Sequence, residues 1–231
     1  MIDTQRVPAI LETVAVERVY GAGEAAVHAL RGVSLTVAQG ERVAITGPSG
    51  CGKTTLLHLL GGLDHPTGGE VRFAVAPFPR SREAAATRRR HLGFIFQSFG
   101  LLPALTAREN VELPLALAGV GPSQRAEAAN DMLDAVGLAD RAGYLIEELS
   151  GGQRQRVAIA RALAGEPQVV LADEPTGSLD SATAATVMDM LLGLLASRGA
   201  ALVLVTHDSE MARRADREIR LRDGHLEGAR A

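Results

Sequence analysis

The chain has 231 residues, 46% hydrophobic and 22% charged, which is enough apolar material for one large buried core and excludes a disordered or fibrous protein. A formal net charge of −3 gives no general attraction for nucleic acid, and no stretch reaches the roughly 18 to 20 apolar residues of a membrane-crossing helix. The single cysteine, Cys51, excludes an internal disulfide and suits a reducing compartment.

The opening "MIDTQRVPAILETVAV" lacks the cationic start, apolar centre and small-residue cleavage site of a secretory leader, so a cytoplasmic chain is expected. The first forty residues alternate in the manner of strands, as in Val33 to Val37, and predict a small antiparallel layer. A different pattern starts at "VAIT" (43–46), a β-branched run without polar alternation, as expected of a parallel strand buried on both faces. It leads into "GPSGCGKTT" and then the apolar helix "TTLLHLL".

Gly47-Pro48-Ser49-Gly50-Cys51-Gly52-Lys53-Thr54 fits the phosphate-loop pattern, and Thr55 follows in the first helical turn. Its glycines let backbone N–H groups curl around phosphate oxygens, and the helix N-terminus adds its positive dipole end. Lys53 is suited to the β- and γ-phosphates, and the Thr54 hydroxyl to Mg²⁺. Cys51 contributes its backbone, and its thiol is expected to be incidental yet open to labelling.

Beyond this loop, the cluster at Arg88 to Arg90 reads as a solvated helix face. "LGFIF" reads as an edge strand, and Gln97 after it is placed to reach Mg²⁺ or an attacking water, although a strand-end glutamine is also unremarkable. Residues 98–165 read as a mostly helical lobe inserted into an α/β core. Capping boxes are expected at Thr106/Glu109 and Ser150/Gln153, and a helix from near Ser123 is expected to end at Gly137. The run "VVLA" (169–172) ends in Asp173-Glu174, and "LVLVT" (202–206) ends in His207. Ligands of open α/β sheets bind beyond the carboxyl ends of strands, so these groups are expected to share one edge with the glycine loop. There Asp173 suits Mg²⁺, Glu174 is the candidate general base, and His207 is aimed at a γ-phosphate oxygen. "IRLRDGHLE" predicts a final hairpin turning at Asp223-Gly224.

The stretch "SGGQ" leaves two readings open. A capping box explains Ser150 and Gln153 but not Gly151 and Gly152, because glycine costs a helix roughly 1 kcal/mol relative to alanine. Two in succession suggest a close approach to the backbone, and a phosphate at a second helix N-terminus meets that requirement.

"LSGGQRQRVAIARAL" followed by "VVLADEPTGSLD" resembles the signature, Walker B segment and D-loop of ATP-binding cassette (ABC) ATPases, with the phosphate loop, Gln97 and His207 in matching order. The resemblance covers nearly the whole chain. It implies one cassette domain over 1–231: a P-loop NTPase core with a parallel sheet, an N-terminal antiparallel β layer and an inserted helical lobe. It implies an ATPase using ATP and Mg²⁺, peripheral on the cytoplasmic face of the membrane, that drives a separate integral permease. It further implies a head-to-tail homodimer, in which Ser150, Gly151, Gly152 and Gln153 close over the partner's nucleotide and Asp180 links the two sites. In the resemblance Tyr20 takes the place of the aromatic that stacks on adenine, with a packing role as the ordinary alternative. A groove beside Gln97, lined by Phe99, Leu101 and Leu102, faces the permease, these three having an ordinary alternative as core of the helical lobe.

"GLDHPTGGEV", "GFIFQSFGLLPALTARENVELPL" and "LADEPTGSLD" look like the MacB, LolD and FtsE branch, which serves efflux, lipoprotein release and cell division. Two stretches depart from it. Residues 74–87 lack the usual glycine-containing turn, which predicts an irregular sheet edge, and "AGYLIEELSGG" lacks the proline usual before the signature. The alternatives are a soluble cassette of DNA-repair or translation type, although one cassette and no long coiled coil are visible, and a regulator of an envelope hydrolase.

Overall fold

The structure is a computed structural model and describes residues 9–230. The first eight residues and Ala231 lie outside it, and with them the amino-terminal half of the leader reading. In chain order the elements are β1 (Ala9–Tyr20), β2 (Val27–Ala38), β3 (Arg42–Thr46), α1 (Lys53–Leu60), β4 (Gly68–Phe73), β5 (Ala76–Pro77), α2 (Ser81–His91) and β6 (Leu92–Ile95). There follow α3 (Ala107–Leu117), α4 (Pro122–Ala135), α5 (Gly151–Leu163), β7 (Val169–Asp173), α6 (Ser181–Arg198), β8 (Ala201–Val205), α7 (Ser209–Ala212), β9 (Arg217–Arg222) and β10 (His225–Arg230).

Two sheets form. The expected antiparallel layer has the order β2-β1-β4-β5. The second sheet runs β10-β9-β3-β8-β7-β6, with parallel pairing throughout except for the terminal β9–β10 hairpin. Its central strands read as unbroken apolar runs because both faces are covered. Val169 and Leu171 of β7 join a cluster with α1 and the antiparallel layer, while Val170 and Ala172 join one with α3 to α6. β6 lies at the edge, as expected, and ends one residue before Phe96.

Helices α3, α4 and α5 occupy the interval read as a helical lobe, and both capping boxes are present. The segment is mostly helical, as expected: short 3-10 helices at Ala139–Arg141 and Ile146–Glu148 interrupt the loop before α5, and 98–106 is irregular. α4 gives way at Gly137, whose φ of 68° is the left-handed conformation that glycine tolerates. The apolar residues of the three helices merge with one face of the parallel sheet, so α5 bridges lobe and core. Gln155 of α5 is fully buried within this region, and neither of its amide atoms has a hydrogen-bond partner among the described residues.

Residues 74–87 are more regular than expected. Ala74 and Val75, at φ of 47° and 63°, make a tight β4–β5 turn without glycine, and the rest of the stretch enters α2. Arg88 of α2 is not fully solvated either, since it donates a 2.7 Å bond to the Gly62 carbonyl.

Candidate functional site

The carboxyl ends of β3, β7 and β8 lie side by side, and the loops leaving them build the site. Gly47, Gly50 and Gly52 all have positive φ (146°, 78° and 107°), which curls the loop between β3 and α1. A Cβ at Gly47 would lie 2.1 Å from the Leu221 carbonyl oxygen, and one at Gly52 only 2.4 Å from that of Ala29. These two glycines are therefore demanded by neighbouring strands as well as by any phosphate. Gly50 has open space beside it. Gly52 offers no side-chain cap, so the first-turn N–H groups of α1, from Lys53 to Thr55, face the loop's mouth without one.

Lys53 Nζ donates to the carbonyls of Gly47 (2.8 Å) and Pro48 (2.9 Å), which folds the ammonium over the loop. Pro48 also lines a cavity of about 320 Å³ with Thr46, Gly47, His207, Glu218 and Arg220. Ser49 lies exposed on the loop between them. Cys51 corrects an expectation: its side chain is only 6% exposed and packs in the apolar cluster beneath the loop, so the thiol is not open to labelling.

Thr54 Oγ1 donates to Asp173 Oδ2 at 3.0 Å, so β7 and α1 deliver a hydroxyl and a carboxylate to one point. Burial pushes the Asp173 carboxyl above its ordinary value; the Thr54 bond opposes this and the neighbouring Glu174 charge adds to it. Two converging hard oxygen donors suit Mg²⁺, which usually takes few protein ligands and completes its shell with phosphates and water. Among the described residues no cluster of three or more His, Cys, Asp or Glu forms a self-sufficient metal site.

Glu174 has a φ of 48°, unusual for a side chain of its size, and its N–H is fixed by the Val205 carbonyl at 2.9 Å. Glu174 Oε1 lies 2.7 Å from His207 Nδ1, and Oε2 accepts a longer 3.4 Å bond from Thr206 Oγ1. The Glu174 side chain is 15% exposed and that of His207 70%, so a shielded carboxylate is held by an open imidazole. Gln97 Nε2 approaches the same corner, 3.3 Å from where a Cβ on Gly177 would stand, and Gly177 itself bonds the Glu174 carbonyl. Lys53, Thr54, Asp173, Glu174, His207 and Gln97 thus all lie at the carboxyl ends of the parallel strands, in or beside the loops that leave them. Thr206 was missed in the sequence, where a threonine closing an apolar strand carries no signal.

Ser150 to Gln153 make their polar contacts elsewhere. Ser150 N–H donates to Gln153 Oε1 at 2.8 Å, and Ser150 Oγ accepts from Gln153 N–H at 3.3 Å. A Cβ on Gly152 would come within 2.7 Å of Thr183 Cγ2, so this glycine already has an intrachain reason in the close approach of α5 to α6. Gly151 has only an ordinary 3.6 Å neighbour in Leu179, and it stays exposed. Asp180 caps α6 by accepting from Thr183 N–H at 3.0 Å, and its bonds to Thr183 hold its carboxyl below the ordinary value. Tyr20 ends β1 with 39% exposure, its hydroxyl donating to Asp64.

An apolar groove of about 370 Å³ does lie near Gln97, but its lining differs from the expected one. Leu63, Phe94, Phe96, Leu113 and Leu117 form it, with Arg88 and Arg161 among its walls. Leu101 packs on the lobe instead, and Phe99 and Leu102 are not part of the lining. Arg161 of α5 donates to the carbonyls of Phe99 (3.0 Å) and Gly100, which ties this helix to the loop after Gln97.

A phosphate loop at the head of α1, with acidic strand ends beside it, defines a P-loop nucleotide-binding protein of α/β fold. Residues 30–177, more than half of the sequence, match the ABC transporter family, and the chain belongs to it, within the group of LolD and MacB cassettes. An ABC transporter ATP-binding protein of Thermotoga maritima is 50% identical over 221 residues, 95% of this chain and 94% of its own length. The lipoprotein-releasing system ATP-binding protein LolD of Legionella pneumophila is 49% identical over 90% of this chain and 92% of its own. A macrolide export ATP-binding/permease protein MacB, from Marinobacter nauticus, is 46% identical over 94% of this chain, which spans only 34% of that longer protein. Among solved structures, the dimer of an ATP-binding cassette in a post-hydrolysis state with ADP and phosphate superposes with a TM-score of 0.88. It has 42% identity, and 95% of this chain and 97% of that one are covered.

Proposed function

We propose that this chain is the ATP-hydrolysing subunit of an ABC transporter or mechanotransmission complex. It works as a homodimer peripheral to the cytoplasmic face of the membrane and drives a separate permease. The observation that carries the hydrolytic reading is the convergence of Thr54 with Asp173 (3.0 Å) and of Glu174 with His207 (2.7 Å) beside the phosphate loop. In this reading Lys53 leaves its loop carbonyls for the β- and γ-phosphates, and the backbone from Gly47 to Thr55 cradles them. Thr54 and Asp173, with Gln97 nearby, would hold Mg²⁺, which when bound supplies charge neutralisation of the phosphates. Glu174 takes a proton from the attacking water, and His207 orients the carboxylate that receives it.

Ser150 and Gly151 present an exposed helix N-terminus, in keeping with service to a partner's nucleotide, and Asp180 caps the neighbouring helix at the same surface. The apolar groove between α3 and β6 is the proposed seat for a cytoplasmic segment of the permease. Among the described residues no helix is long and apolar enough to cross a membrane, in keeping with a peripheral subunit. Phosphate release from MgATP by the purified chain tests the reading. Lys53→Ala should abolish nucleotide binding and turnover together, and parental turnover in that variant would overturn it.

A further inference from the structure

Asp64 lies in the loop that returns from α1 to β4, at the opposite end of α1 from the phosphate loop. Its Oδ2 accepts from Arg18 Nε at 2.9 Å and from the Tyr20 hydroxyl at 2.8 Å. Its Oδ1 accepts from Arg18 Nη2 at 2.9 Å and from His65 N–H at 2.7 Å. The Arg18 guanidinium in turn lies over the Tyr20 ring, 4.4 Å from its centroid. One carboxylate therefore holds both the tip of the tyrosine and the cation that covers one of its faces.

The ring is 39% exposed, whereas the Arg18 and Asp64 side chains that grip it are 22% and 24% exposed. Burial pushes the Asp64 carboxyl up, but the His65 N–H, the Tyr20 hydroxyl and Arg18 outweigh it and keep the group below its ordinary value, so it remains an acceptor. The loop carrying Asp64 is pinned to the same strand a second time. Thr67 N–H donates to the Glu17 carbonyl at 2.9 Å, and Thr67 Oγ1 accepts from Val19 N–H at 3.2 Å. Through the eight residues of α1 this loop is joined directly to Lys53. The ring is thereby fixed relative to the phosphate loop before any ligand arrives, and a ring already immobilised loses less entropy when something stacks on it.

We propose that Asp64 is a positioning residue that, together with Arg18, presents the uncovered face of Tyr20 to the purine of the nucleotide. This deepens the reading of Tyr20 as a base platform and rests on it. Cation–π contact on one face and base stacking on the other would sandwich the ring.

The test compares MgATP with magnesium pyrophosphate, which has the phosphates but no base. Asp64→Ala should raise the KM for MgATP by at least about fivefold, the lower end of a lost base–aromatic stack, with kcat within about twofold. Inhibition by pyrophosphate should not change. Tyr20→Ala should raise KM similarly, and the double variant should add little to it, because Asp64 acts through Tyr20. Asp64→Asn, which keeps the shape, should fall between Asp64→Ala and the parent if Asp64→Ala folds poorly. An unchanged KM in Asp64→Ala with a raised KM in Tyr20→Ala would overturn the role of Asp64 alone. An unchanged KM in Tyr20→Ala would overturn the base platform, and the proposal with it. Weakened pyrophosphate inhibition in Asp64→Ala would mean a general loosening of the loop and would also overturn it.

Discussion

Replacing Glu174 by glutamine isolates the proposed base, because the substitution changes charge and proton affinity while retaining shape. Glutamine keeps an oxygen that can accept from His207 and Thr206, and the same positive φ is required of either side chain, so stability should fall by no more than about 1 kcal/mol. Two losses remain. The 2.7 Å contact with His207 becomes neutral. A charge-assisted bond of about 1.5–3 kcal/mol falls to about 0.5–1.5, and the 70% exposure of His207 places the difference at the lower end, near 1 kcal/mol. That alone slows turnover by less than about tenfold. Loss of a positioned general base costs about 10²- to 10⁴-fold, or about 3–5 kcal/mol of barrier. Phosphate release should therefore fall by more than a hundredfold, while nucleotide affinity, read by fluorescence of a labelled ATP analogue, stays within about threefold of the parent. A fall of tenfold or less would be explained by a loosened His207 and would remove Glu174 as the base.

Three other outcomes are expected. Ser150→Arg should stop hydrolysis yet leave ATP binding by the isolated subunit unchanged within about threefold, since it places a charge where a partner's phosphate would dock; retained hydrolysis would refute a trans role for Ser150. Gln155→Met should raise the melting temperature, because an unpartnered buried amide costs about 1–3 kcal/mol; a loss of more than about 1 kcal/mol in denaturant titration would show the amide to be satisfied by ordered water. Arg42, bonded to Asp216, holds that carboxyl below its ordinary value of 3.8 despite partial burial. The pair contributes stability above that pH and loses it as pH falls through the depressed value. Asp216→Asn should thus flatten the decline of melting temperature below about pH 4, modestly because both groups are well exposed; an unaltered acid limb would contradict this.

The parallel core could be read from the sequence because its burial is two-sided: when Val169 to Ala172 all face apolar neighbours, no alternation is left to confuse strand with surface. The site edge followed from it, since Asp173 and His207 stand where such runs stop. What escaped reading depends on contacts distant in sequence. The Glu174–His207 bond spans 33 positions, and the Gly152 contact with Thr183 requires α6 to fold back on α5. α2 carried no apolar periodicity to mark it, and the Ala74-Val75 turn uses neither glycine nor asparagine. The apolar groove beside Phe96 is lined by residues other than Phe99, Leu101 and Leu102. Its wall is assembled from several elements, whereas the local apolar run from Phe99 turns partly inward.

The burial of Cys51 has a chemical consequence. Its sulfur lies 4.0 Å from Lys53 Nζ, yet only 6% of the residue meets solvent. Peroxide or alkylating agents can reach it only when the phosphate loop lifts away from Leu221, so the rate of thiol modification becomes a clock for that opening. In a protein with no other cysteine the clock needs no engineered background, and anything that clamps the loop should slow it.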